Sequence, residues 1–332
     1  MMPRPPRLPL ALLLSFLVAA CAKDSIRPAE APRVDVPSPR ARTSAAPHHR
    51  SRRLAPDAVA RAASGYLGYS FRDQSWQAPT EFFSELAGTD VICLGEIHDN
   101  AAHHFAELTV LDALLRRSVM SGLSVTLALE AFERLAQPSL DLWIAHRLGF
   151  RELLAQSEYT ERWGYDVALL HPLLDLARAH RTHVLALGAD AELVEDVAHF
   201  GLGHLPPEER GSLPALDLDD AEYRRTFFEA MRDHPDVGKP EHVYEAQVVR
   251  DETMAERISS QVLQDHVAAQ VLVVSGRQHC QRSAIPSRVE RREPVSTAAV
   301  ALLVGSLQTV PDLSGEDFDY AMVLASADQD TP

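Results

Sequence analysis

Two kinds of apolar pattern alternate along the chain beyond residue 62. Short, β-branched runs read as buried strands: Val91 to Gly95, Val125 to Glu130, His183 to Leu187, Val271 to Ser275, Ala298 to Val304 and Tyr320 to Leu324. Between them lie segments whose apolar residues recur every three or four positions, the spacing of one helix face. Phe105, Leu108, Leu111, Leu114 and Leu115 mark the first helix, from Asn100 or Ala101 to Arg117. Further helices are expected over Pro138 to Ser157, Leu169 to Arg181, Glu192 to Gly201, Tyr223 to His234 and Glu245 to Gln264. Connections of that length suit parallel strands. The expected fold class is therefore α/β: a mostly parallel central sheet covered by helices on both faces, with a helical insertion.

The first 62 residues follow neither pattern. Arg4 and Arg7 precede an apolar stretch from Leu8 to Ala20, which reads as a secretory signal too short to span a bilayer as a stable helix. Val18-Ala19-Ala20-Cys21 is similar to the lipobox of bacterial lipoproteins, in which the chain is cut before the cysteine and lipid is attached to it. The following residues, to about 62, are rich in Pro, Ala, Ser and Arg and have no apolar period, the composition of a tether. The expected organisation is a signal peptide over 1–20, a lipidated Cys21 and disordered tether over 21–62, and one α/β domain over 63–332. A chain so built is anchored in the bacterial cell envelope through Cys21. Ala22 is not the aspartate associated with inner-membrane retention, which favours the outer membrane, facing the periplasm.

Charge narrows the choice of partners. The whole chain carries −15, but the tether is basic, so residues 63–332 hold 21 basic and 43 acidic side chains, a net charge of −22. Nucleic acid is not an expected partner of so acidic a domain. With Cys21 assigned to lipid, Cys93 and Cys280 remain. Each lies beside a candidate site motif, and a disulfide or a soft ligand pair is open to them, although an apolar strand makes Cys93 read first as a small core residue.

The candidate chemistry lies at strand ends. Gly95-Glu96-Ile97-His98 and Gly276-Arg277-Gln278-His279 each follow an apolar run directly, so both histidines are expected just beyond the carboxyl ends of buried strands. Open α/β sheets bind ligands there. Glycine permits a sharp turn and close approach, and imidazole serves as metal ligand or proton donor. Glu130 ends a third strand and Asp190 follows a fourth. A buried Glu130 needs a partner, and Arg134, a histidine or a metal is expected to supply it. Gln247, Arg250 and Asp251 share a helix face by spacing, which reads either as three residues addressing the site together or, for Arg250 and Asp251, as part of a solvated face in a helix crowded with Glu and Arg.

These residues resemble a known family. Val91 to Asn100 followed by His103-His104 looks like the opening motif of the ChaN-like proteins, iron-regulated bacterial lipoproteins associated with haem. Leu127 to Arg134 with Gln137, Glu245-Ala246-Gln247 with Arg250-Asp251 and Met254-Ala255, and Gly276 to His279 with Ile285-Pro286 continue the match in order, over roughly residues 80 to 305. The resemblance implies the haem-binding uptake or Tiki-like superfamily, which also holds TraB-type proteins, Tiki metalloproteases and erythromycin esterases. Carried over by position, its active-site residues are His98, Glu130, Arg134 and His279, with Glu96 as a further candidate. The ChaN-like branch implies haem held near a subunit interface, hence a homodimer, with a tyrosine on the iron. Tyr159 and Tyr165 are both open for that role. Two departures stand out: Arg277-Gln278 replace a small pair, and Gly188 replaces an asparagine.

Two functions are expected to compete. The first is an envelope-anchored lipoprotein that binds haem or an iron complex during uptake, with Gly95, His98, His103, Gln247, Arg250, Gly276 and His279 as binding residues. The second is a metal-dependent hydrolase of the Tiki or erythromycin-esterase type. There His98, Glu130 and His279 would hold a divalent metal ion, and Arg134 or Arg250 would stabilise an oxyanion. An inert domain used only for protein contacts ranks last, because it leaves the strand-end polar residues without a purpose.

Overall fold

The computed structural model describes residues 65–232, 238–265, 269–307, 311, 313 and 315–325. The expected signal peptide, Cys21 and tether lie outside the described residues. Among those described, no helix is long and apolar enough to cross a membrane.

The elements follow in the order β1 (Tyr66–Ser70), β2 (Ser75–Gln77), α1 (Pro79–Leu86), β3 (Val91–Glu96), α2 (Ala101–Ser121) and β4 (Ser124–Glu133). Helices α3 (Gln137–Ile144), α4 (Phe150–Gln156), α5 (Tyr159–Arg162) and α6 (Val167–Ala179) lead to β5 (His183–Gly188). Then come α7 (Ala191–Phe200), α8 (Pro207–Ser212), α9 (Ala221–Met231), α10 (Pro240–Asp265), β6 (Ala269–Gly276), α11 (Ile285–Arg292), β7 (Thr297–Gly305) and β8 (Tyr320–Ala325). The eight strands form one sheet in the order β2-β1-β8-β7-β3-β6-β4-β5. The six strands from β8 to β5 are parallel, and the β1–β2 hairpin adds to β8 antiparallel. The fold is thus the expected α/β class with a mostly parallel sheet.

Alternation along the strands divides the core. Ile92, Leu94, Leu127, Leu129, Leu272 and Val274 face the side packed by α1, α2, α3 and α6. Val91, Cys93, Ala128, Val271 and Val273 face the opposite side, against Met254, Ala255 and Ile258 of α10 and Ile285 and Val289 of α11. With both faces covered, the central strands read as unbroken apolar runs, which is why the sequence displayed them so clearly.

The expected helix from Pro138 to Ser157 is two helices. His146 takes a left-handed φ of 57°, and the Arg147 and His146 amides donate to Leu142 and Trp143 carbonyls, closing α3 before Gly149 opens α4. The hairpin β1–β2 was not foreseen, nor were α1 and α11, each eight residues with a proline in its first turn. Asp190 belongs to the fold rather than to the site: its Oδ1 accepts the Leu193 amide at 3.0 Å and caps α7.

Candidate functional site

Strands β3 and β6 are adjacent and in register, with Gly95 opposite Ser275 and Glu96 opposite Gly276, so the two G-x-x-H loops leave the sheet side by side. The Arg277 amide donates to the Glu96 carbonyl at 2.9 Å. A disulfide joins Cys93 of β3 to Cys280 at the end of the second loop, with Cα atoms 5.3 Å apart. Cys93 is therefore both a buried core residue and a cross-link. Both glycines are demanded by contact: a Cβ on Gly95 would lie 2.9 Å from Arg277 Cα, and one on Gly276 would lie 3.1 Å from His98 Nε2.

Glu130 occupies the centre. Its Oε2 accepts the Ser275 hydroxyl at 2.6 Å and the Gly276 amide at 2.8 Å. Its Oε1 accepts Arg250 Nη2 at 2.5 Å and lies 3.3 Å from His279 Nε2. On the far side of the His279 ring, Nδ1 hydrogen-bonds Asp251, which also accepts the Tyr223 hydroxyl, and the Gln247 amide lies 3.3 Å from the same nitrogen. A continuous chain thus runs Tyr223–Asp251–His279–Glu130–Arg250. His98 stands across the site, its Nδ1 donating to Glu96 Oε1 at 2.8 Å.

The structure brings Glu96, His98, Glu130, Gln247, Arg250, Gly276 and His279 together and leaves Arg134 out. Strand β4 continues past Glu130 to Glu133 before a short 3-10 turn begins at Arg134. The Arg134 side chain is 43% exposed and lies 3.9 Å from Glu256. Arg250, from α10, is the cation that pairs with Glu130. The irregularity of β4 between Leu129 and Glu133 also explains Gly188: a Cβ there would lie 2.8 Å from the Glu130 carbonyl oxygen. Arg277 reaches the Leu302 carbonyl at 2.8 Å, anchored at β7 rather than aimed at Glu130.

His103 holds the first loop rather than facing a ligand: its Nδ1 accepts the Ile97 amide at 2.9 Å, and its ring is buried. Nor do His98, Glu130 and His279 form the expected metal set. Among the described residues, the one group of three metal-ligating side chains with ligand atoms all within 4.8 Å of one another is Glu96, His104 and Glu107. Glu130 is already occupied by a guanidinium, a hydroxyl and an amide.

Burial and charge set the protonation states. Burial alone would raise the Glu130 carboxyl, but the charges of His279, Arg250 and His98 and the Ser275 hydrogen bond outweigh it and hold it well below the usual carboxylate range. Glu96 is likewise brought down to about 2, its burial overcome by His98. Burial works against charge on His98, yet its bond to Glu96 and the nearby Glu130 raise it, so the ring favours its imidazolium form. His103 is pushed down to about 3 by burial, helped by Arg277, and stays neutral.

Beside His98 opens a pocket lined by Leu129, Ala131, Tyr159, Trp163, Tyr165 and Leu170. Trp163 and Tyr165 flank the His98 ring with centroids 4.6 and 4.9 Å away. Tyr159 is buried, and burial raises its phenol; Tyr165 is half-buried. Sequence reasoning set Asp251 beside the site without pairing it to His279, and missed Ser275, Tyr223 and Trp163. Asp251 carried a usable signal, one turn after Gln247 and beside Arg250, whereas Trp163 sits in a loop with no pattern to mark it.

The fold and site define an α/β domain with a histidine–carboxylate cluster at the carboxyl edge of a parallel sheet. A family model described as haem-binding uptake, Tiki superfamily, ChaN matches residues 82–289, and the chain belongs to that family. A structure of ChaN from Campylobacter jejuni with cofacial haem has a TM-score of 0.62 at 18% identity, covering 79% of this chain and 97% of that one, and shares the fold. The toxin effector domain RRSP from Vibrio vulnificus gives a TM-score of 0.40 at 17% identity over 76% of this chain and 41% of that one. A mutant erythromycin esterase EreC in an open conformation gives 0.39 at 16% identity over 74% and 78%. No curated protein matches.

Proposed function

We propose that this chain binds haem at the aromatic pocket beside His98, and does so as an envelope lipoprotein, anchored through Cys21, in haem or iron uptake. Membership of the ChaN family over residues 82–289 carries the reading. The pocket itself has room for about one water molecule, 10 Å³, so haem would lie across its mouth, where half-buried Trp163 and Tyr165 offer aromatic contact for a porphyrin face and a phenol beside the His98 imidazole. Bound haem would supply an iron centre open to an axial protein ligand.

Of the groups available, Tyr165 is the iron ligand in this reading. Ligation by tyrosine needs the phenolate. Burial opposes that form at Tyr159, while Tyr165 is half-buried at the pocket. His98 is committed elsewhere: its Nδ1 is held by Glu96, which raises the ring against its burial, and its Nε2 abuts Gly276. Arg250 compensates Glu130 and keeps that carboxylate from repelling the propionates. The test is a haemin titration of the full-length protein followed in the Soret region, with His98→Ala and His279→Ala alongside. A saturable, stoichiometric shift weakened in His98→Ala is expected; an unsaturable, nonspecific response would sink the proposal.

One observation favours a hydrolase as the second reading. Asp251 on His279 Nδ1 fixes the ring so that Nε2 meets Glu130 Oε1 at 3.3 Å, a histidine between two carboxylates that can pass a proton at the centre of the site. Ester or peptide turnover abolished by Asp251→Asn would support it; haem binding without any turnover would remove it.

A further inference from the structure

Behind His98, where α2 begins, lies a polar cluster of which the haem reading uses Glu96 alone. Glu96, His104 and Glu107 each place a ligand atom within 4.8 Å of the others. Glu107 is wholly buried and Glu96 nearly so. Glu96 Oε1 is taken by His98, but its Oε2 is buried without a hydrogen-bond partner, and so is Glu107 Oε1. Neither oxygen has a donor in reach, and the two carboxyls meet each other: Glu107 is raised well above the usual carboxylate range by burial and by Glu96, so either a proton on Glu107 shared with Glu96 or a cation must satisfy them.

The imidazole is set up to complete the cluster. His104 Nε2–H donates to the His98 carbonyl at 2.9 Å. That bond fixes the tautomer, so in the neutral ring Nδ1 presents a lone pair. Nδ1 lies 3.0 Å from Glu107 Oε2 and 3.5 Å from Glu96 Oε2. A lone pair facing carboxylate oxygens is repulsive unless something positive lies between them. A backbone carbonyl on the outer nitrogen of a histidine is the support that metal-binding histidines commonly have. The separations also suit a metal: ligands about 2.0–2.1 Å from a tetrahedral zinc lie roughly 3.3 Å from one another.

We propose that Glu96, His104 and Glu107 bind one divalent transition-metal cation, of the Zn2+ or Mn2+ kind. Glu96 Oε2, His104 Nδ1 and a Glu107 oxygen are its ligands. Two carboxylates and a neutral imidazole give an electrically neutral buried site with a dication, which a monovalent ion would leave negative. Glu96 and His104 also line the pocket beside His98, so an exchangeable fourth ligand enters from there. The competing occupant is protons: His104 as imidazolium with Glu107 protonated satisfies the same oxygens without metal.

The site shares Glu96 and the pocket beside His98 with the haem reading, so it is tested without haem, where failure of either reading is seen separately. Full-length protein stripped with chelator is titrated calorimetrically with Zn2+ and with Mn2+. One site per chain is expected, with affinity lowered roughly tenfold or more in Glu107→Gln and in His104→Asn and kept in His279→Ala. Absence of a stoichiometric site in the wild type overturns the proposal in favour of protons. Unchanged affinity in both cluster variants, or loss in His279→Ala alone, also overturns it by placing the metal elsewhere. Circular dichroism checks that each variant is folded. X-ray absorption on the loaded wild type gives an answer that needs no variant: one imidazole among oxygen ligands supports the cluster, and two imidazoles or a sulfur contradict it.

Discussion

Reduction of the Cys93–Cys280 bond is the perturbation that most widely probes the joint between the two G-x-x-H loops. The bond closes a sequence separation of 187 residues, for which the chain-entropy relation gives roughly 5 kcal/mol, the upper end of what disulfides contribute. At roughly 2–4 °C per kcal/mol for a domain of this size, that corresponds to a fall of about 10–20 °C in melting temperature. Both cysteines are buried, so reduction needs unfolding in denaturant with a phosphine reductant, followed by refolding under reducing conditions. Differential scanning calorimetry on oxidised and reduced protein, with thiols counted by alkylation, measures the difference. The reduced protein should also lose haem affinity, because Cys280 follows His279 directly and Gly95 is packed against Arg277 and Cys280. Equal melting temperatures with two more titratable thiols in the reduced protein than in the oxidised one would refute the reasoning.

Other consequences are equally measurable. Gly276→Ala pushes a methyl group to 3.1 Å from His98 Nε2 and should destabilise by roughly 1–3 kcal/mol in urea unfolding while weakening haem binding. Arg250→Ala strips the cation from buried Glu130 and should cost roughly 3–5 kcal/mol, whereas exposed Arg134→Ala should stay within about 0.5 kcal/mol. His103 has a folded pKa of about 3 against 6.5, so the unfolded chain binds a proton that the fold refuses. Its contribution is therefore intact above pH 6.5 and is lost as pH falls toward 3; His103→Asn should flatten urea midpoints over that window.

What the sequence made legible follows from what the physics repeats. Buried parallel strands are apolar along their whole length, so β3, β4, β5, β6, β7 and β8 could be read one by one, and the paired glycine–histidine motifs located the carboxyl edge. The β1–β2 hairpin was missed because Ser75-Trp76-Gln77 is too short and polar to show alternation. Arg250 was placed at the site but its pairing with Glu130 was given to Arg134, because a sequence reading sees the next helical turn, not a helix that arrives 120 residues later. Glu107 drew no attention in the sequence, because one helical turn from His104 is also the spacing of an ordinary surface pair. Only the packing of α2 on α6 and the sheet shows that the pair is buried beside Glu96.

The central claim is that this chain holds haem at the His98 pocket with Tyr165 on the iron. Resonance Raman spectra of the haemin complex of the full-length protein test it most directly, with Tyr165→Phe and Tyr159→Phe for comparison. The account predicts phenolate vibrations in the wild type and in Tyr159→Phe that vanish in Tyr165→Phe. Phenolate signals that persist in Tyr165→Phe, or a spectrum governed by imidazole ligation, would contradict it.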